Sequence, residues 1–149
     1  MYDNGYGVTQ DKVEAVRWYR AAVEQGLAQA QCNLGFMYAN GYGVKKDKVE
    51  AVRWYRAAAE QELAQAQCNL GFMYENGYGV KKDKAEAARW YRAAAEQGYA
   101  QAQFNLGLMY RDGEGVERNR KEAKKLIREA AKNGCKDAKE HLIWTWPWI

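Results

Sequence analysis

Apolar positions return along this chain on two scales. Within the segment from Ala28 to Tyr38, Ala30, Leu34 and the Met37-Tyr38 pair lie at i, i+4 and i+7/8, the spacing of one apolar helical face. A second stripe, Ala51, Tyr55 and Ala58, has the same spacing and predicts a second helix. Polar punctuation separates the two. Asn40-Gly41-Tyr42-Gly43-Val44 ends the first helix, with Gly41 suited to the left-handed residue that closes a helix and Gly43 to a second bend. Asp47, followed by Glu50 three residues on, forms a capping box that opens the next helix.

The whole arrangement repeats. Met-Tyr occurs at Met1, Met37, Met73 and Met109, a period of 36 without a slip. Trp18, Trp54 and Trp90 keep that spacing, with Leu126 in fourth place, and Leu34, Leu70, Leu106 and Leu142 form another column. Asp11/Glu14, Asp83/Glu86 and, in weaker form, Asn119/Glu122 repeat the cap. Gly26, Gly98 and Gly134 end the second helix of each pair, whereas Glu62 fills that place in the middle unit. If the site needs positive φ, Glu62 costs about 1 kcal/mol there. The periodicity predicts eight helices in an all-α solenoid. The array occupies residues 1–143 and a tryptophan-rich tail residues 144–149. Met1 falls where a mid-helix Met belongs, so the first helix is expected to be a stub before a helix over 11–25. The chain starts out of phase, which makes the absence of a signal peptide uninformative.

The run Ala28-Gln-Ala-Gln-Cys-Asn-Leu-Gly-Phe-Met-Tyr38, then Asn40-Gly41, Asp47, Glu50-Ala51, Trp54-Tyr55 and Ala58 to Gln61, resembles the Sel1-like repeat, a relative of the tetratricopeptide repeat. The resemblance implies a right-handed α-α superhelix. It also implies a protein that scaffolds complexes by binding other proteins and is not an enzyme. Near-identity of successive units leaves open whether the array is natural or engineered.

Composition narrows the picture. The 149 residues include one histidine, His141, and no serine, which leaves little for nucleophile or metal chemistry; no cofactor is expected. No stretch nears the roughly 20 apolar residues of a membrane span. Net charge is +4, yet residues 1–116 carry 14 basic and 14 acidic side chains; nine basic and five acidic residues between Glu117 and Glu140 supply the excess. One basic end is not the continuous basic stripe of a nucleic-acid binder. Lys121, Lys124, Lys125, Arg128 and Lys132 read as the solvated face of a terminal unit or as a docking site for an acidic partner.

In such arrays the first helix of each pair lines the concave face. Positions there outside the core stripe are Gln29, Cys32, Asn33, Phe36 and Asn40, then Gln65, Cys68, Asn69, Phe72, Glu75 and Asn76, then Gln101, Phe104, Asn105, Leu108, Arg111 and Asp112. In similar tetratricopeptide domains, the asparagine beside Leu-Gly holds the backbone of a bound extended peptide. Asn33, Asn69 and Asn105 stand there, and a carboxamide offers a peptide unit both a donor and an acceptor. The plainer reading is that they brace neighbouring turns. Phe36, Phe72, Phe104 and Leu108 would form the apolar floor of a groove, or inter-repeat packing. The inner helices lack the lysine and arginine pair that clamps a C-terminal carboxylate, which makes that function doubtful.

The three cysteines fit no C-x-x-C metal spacing, and Cys32 and Cys68, one period apart, are too far apart to bridge. Unpaired thiols favour a reducing compartment without naming one. Some secreted Sel1-like proteins carry a disulfide in every repeat and are described as binding or hydrolysing β-lactams; the paired cysteines are missing here. A second alternative is an adaptor that binds through its convex face or basic end. The tail holds Trp144, Trp146 and Trp148 around Pro147. It reads as a plug over the solenoid's end, as a segment for self-association, or as a foreign end.

Overall fold

The computed structural model describes the backbone of residues 6–145 and the side chains of residues 11–144. Among the described residues it is all helix: α1 (Tyr6–Val23), α2 (Ala28–Asn40), α3 (Lys48–Glu60), α4 (Ala64–Asn76), α5 (Lys84–Glu96), α6 (Ala100–Asp112), α7 (Arg120–Lys132) and α8 (Lys136–Thr145). The helices pair as α2 with α3, α4 with α5 and α6 with α7, and each pair stacks on the next. The result is a right-handed superhelix.

Local chemistry accounts for the boundaries. Asp47, Asp83 and Asn119 are extended N-caps whose side chains accept from the N–H of Glu50, Glu86 and Glu122. Gly41, Gly77 and Gly113 close α2, α4 and α6 in the left-handed conformation. The first unit departs from expectation: α1 begins at Tyr6 and runs through Asp11 without a break. In the later units a bond from the cap N–H to a tyrosine carbonyl of the preceding helix, Asp47 to Tyr38 for example, anchors the loop.

Two positions show what the backbone demands. Glu62 has φ of 66°, beside Gly26, Gly98 and Gly134 at 73°, 83° and 98° in the same place. At Gly35, Gly71 and Gly107 the constraint is space. A Cβ on Gly71 would lie 2.8 Å from the Tyr91 ring and 3.2 Å from the Ala87 carbonyl oxygen. The paired helices therefore touch backbone to ring.

The core runs through the stack as overlapping clusters. One joins Cys32, Ala51, Tyr55, Ala58, Leu70 and Met73, and the next joins Cys68, Ala87, Tyr91, Ala94, Leu106 and Met109. Each cluster draws on two units, so neither unit buries its apolar face alone. The indole nitrogens of Trp54 and Trp90 are buried without a hydrogen-bond partner among the described residues. An unpaired donor of that kind costs about 1–3 kcal/mol, which the packing of the rings must offset.

Candidate functional site

The stripe expected on α2, α4 and α6 is present. Gln29, Gln65 and Gln101 are exposed, and Asn33, Asn69 and Asn105 are partly exposed one turn further on. Phe36 and Phe72 stand 48% and 49% exposed. The stripes line up between units, since the Gln29 amide donates to Gln65 Oε1 at 3.3 Å. The asparagines share a column without sharing partners. Asn33 and Asn105 accept from Gln29 and Gln101 on their own helices, each at 3.0 Å, while the Asn69 amide reaches Cys32 Sγ in the preceding unit at 3.8 Å.

Several expected groove residues lie elsewhere. Phe104 is 9% exposed and belongs to the core beside Ile127, Ala130, Cys135 and Ala138, with its ring edge-on to His141. It occupies the place of Cys32 and Cys68, and a 3.6-residue period turns that place toward the neighbouring helix, away from the stripe. Cys32 and Cys68 are buried there too, at 1% and 4%. Leu108 stands at the place of Phe36 and Phe72 but packs against the last cluster. Arg111 turns to Asp112, at 2.7 and 2.8 Å, and to His141 Nε2 at 3.3 Å. The His141 contact ties α6 to α8.

All three thiols are free and buried. Burial pushes Cys32 up to about 11, against a smaller lowering by its bond from Asn69. It pushes Cys68 up to about 12, helped by the nearby Glu75 charge. These are poor nucleophiles, because only the thiolate reacts well.

Two polar ladders went unpredicted. Gln31, Gln67 and Gln103 are buried. Their side-chain oxygens accept from Gln61 at 2.7 Å, Gln97 at 2.9 Å and Asn133 at 3.0 Å. Gln67 and Gln103 also donate to the carbonyls of Ala59 and Ala95 in the preceding unit. On the opposite seam Arg20, Arg56 and Arg92 donate to the hydroxyls of Tyr38, Tyr74 and Tyr110 at 2.8, 2.6 and 2.6 Å. The signal was the recurrence of both members of each pair at 36 residues, a spacing that marks structural partners as readily as ligand contacts.

A cleft of about 300 Å³ opens between the stripes of α2 and α4. Phe36, Phe72 and Tyr78 give it apolar walls, Asn69 and Tyr55 lie within it, and Lys46 and Lys48 stand at its side. On α7, Lys121, Lys125 and Arg128 are exposed. Trp144 is 84% exposed on α8, while Trp146 and Trp148 lie outside the described residues. Among the described residues no group of His, Cys, Asp or Glu side chains is placed to hold a metal ion. No described helix is long and apolar enough to cross a membrane.

Stacked helix pairs with an uncommitted stripe on their first helices define an α-solenoid of tetratricopeptide type. The family model of the Sel1 repeat matches residues 1–27, 28–63, 64–99 and 100–135, and the chain belongs to the Sel1 repeat family. Proteins of this family typically act as protein-interaction scaffolds and are generally non-catalytic. Among solved structures, a Sel1 repeat protein from Oxalobacter formigenes is 44% identical at a TM-score of 0.74, over 76% of this chain and 45% of its own. A protective antigen of uropathogenic Escherichia coli with the SLR fold is 47% identical at 0.85, over 95% of this chain and 30% of its own. Helicobacter pylori cysteine rich protein B is 28% identical at 0.70, over 92% and 98%. The chain thus spans under half the length of the first two. No curated protein matches it.

Proposed function

We propose that this chain is a non-catalytic module that binds a protein segment or extended peptide along the concave face formed by α2, α4 and α6. The observation that carries the reading is the half exposure of Phe36 and Phe72 in line with Asn33 and Asn69. A repeat needs its core stripe for stacking, and these residues lie outside it. Asn33, Asn69 and Asn105 would meet the peptide backbone, with Gln29, Gln65 and Gln101 beside them and the phenylalanines receiving side chains. Phe104, in the core, and Arg111, held by Asp112, would act only indirectly.

The test is fluorescence-polarisation screening of a random peptide pool against the parent and an Asn33/Asn69/Asn105→Ala variant shown by circular dichroism to stay folded. Peptides that bind the parent and not the variant support the groove. Equal binding, or none, moves attention to the adaptor reading through α7. Self-association through Trp144 and the tail is checked by light scattering on a chain lacking residues 144–149; an unchanged mass would end that idea.

A further inference from the structure

The repeats differ where the cleft lies, and the difference is chemical. In the third unit Tyr91 donates its hydroxyl to Glu75 Oε2 at 2.6 Å, and Lys84 pairs with Glu114 of the fourth at 2.9 Å. One period earlier Tyr55 and Lys48 hold the same places, but Ala39 and Tyr78 replace the two carboxylates. The rings are seated alike: a Cβ on Gly35 would meet Tyr55 Cδ1 at 2.7 Å, and one on Gly71 would meet Tyr91 Cδ1 at 2.8 Å. Tyr55 has no hydrogen-bond acceptor among the described residues. Lys48 lies over the Tyr78 ring, 3.6 Å from its centroid. The shortening of Glu75 to Ala39 leaves space, and the cleft occupies that level. Lys46 and Lys48 border it, and among the described residues no acidic one does.

We propose that this cleft binds the side-chain carboxylate of a glutamate in an extended partner peptide, taking the place that Glu75 fills from within one unit later. The partner carboxylate accepts from Tyr55 Oη, with Asn69 lining the same cleft. Lys46 and Lys48 supply the opposing charge, and Phe36 and Phe72 receive the apolar residue next to the glutamate. A carboxylate held by a buried hydroxyl and flanked by cations gains the stronger, charge-assisted kind of hydrogen bond. The inference rests on the peptide-groove reading, and refines it to one acidic anchor at one level of the stack.

The probes are fluorescein-labelled heptapeptide pools, acetylated and amidated, with glutamate or glutamine fixed at the centre, plus a glutamine-centred pool with a free C-terminal carboxylate. The parent should bind the glutamate pool about tenfold more tightly than the amidated glutamine pool, the size expected of one hydrogen bond to a charged group. Ala39→Glu, which installs the residue the next unit carries and fills the space, should abolish that preference, so that the glutamate and amidated glutamine pools bind alike. Tyr55→Phe should weaken the preference; if it fails to fold, Ala39→Glu decides alone. Equal binding of glutamate and glutamine pools by the parent would overturn the anchor while leaving the groove standing. So would a glutamate preference that survives Ala39→Glu, or a free C-terminus that outcompetes the glutamate. If no pool binds the parent, the groove itself falls and the anchor with it.

Discussion

Arg56 donates to the Tyr74 hydroxyl at 2.6 Å, joining the second helix of one unit to the first helix of the next. The guanidinium also lies 5.6 Å from the ring centroid, so the same side chain makes a cation–π contact. Arg92 and Tyr110 repeat both contacts. Tyr74→Phe keeps the ring and removes the acceptor. It should cost about 0.5–1.5 kcal/mol in urea unfolding. Arg56→Ala should cost more, because it also loses the ring contact and the packing of its stem. Equal losses would show that the ring contact contributes nothing.

Glu62 is a non-glycine residue held at positive φ. Glu62→Gly should raise stability by about 1 kcal/mol in equilibrium denaturation. Gly98→Ala should lower it by a similar amount, although a Cβ there meets nothing within 4 Å. If both substitutions were neutral, backbone conformation would not be the controlling factor.

Gly71 faces the opposite constraint, that of room. Gly71→Ala would press a methyl group against the Tyr91 ring and the Ala87 carbonyl, and should destabilise the array by about 1–3 kcal/mol. Thermal unfolding followed by circular dichroism measures this, and a pairing with Tyr91→Leu should recover part of the loss. Where Ile127 replaces the tyrosine, Gly107→Ala should cost a similar amount, because the added methyl would lie 2.7 Å from Cγ1 of a fully buried, β-branched side chain.

The buried thiols predict a pH dependence. Their folded values, about 11 for Cys32 and about 12 for Cys68, lie above the ordinary 9.0. Folding therefore favours the protonated thiols. That stabilisation is complete below pH 9 and is lost as pH climbs toward 11 and 12, when the unfolded chain releases protons that the folded chain retains. Unfolding titrations should show stability falling over that window, and a Cys32→Ala/Cys68→Ala chain should show a shallower fall. At pH 8 a thiol reagent should label the native protein slowly and all three cysteines rapidly in denaturant.

Much of this architecture was legible in the chain because identical residues meet identical surroundings every 36 positions. The caps at Asp47 and Asp83, the closing glycines and the Leu-Gly contact each rest on local chemistry that one side chain specifies. The unexpected run of α1 through Asp11 shows the limit: a capping residue favours a helix start at that place without preventing the helix from beginning earlier. Phe104 misled for another reason. Its neighbours in the column are cysteines, and residue type alone does not say whether a side chain points along the stripe or between helices. Gln31, Gln67 and Gln103 were missed because their amides are polar, and their burial follows from partners on neighbouring helices, 8 or 30 residues away. The open cleft at Ala39 was hidden in plain sight, since a change from glutamate to alanine within a repeat reads as tolerance until the tyrosine beneath it is seen.

Substantial contacts join only consecutive helices, through the arginine–tyrosine and glutamine seams. Load applied to the two ends would therefore pass mainly through those seams in series, shared among the described residues only by side-chain links between alternate helices such as Gln29–Gln65 and Arg111–His141. Each unit that gave way would release 36 residues, about 120 Å of extended chain. The molecule would lengthen as a ratchet does, in steps of nearly equal size.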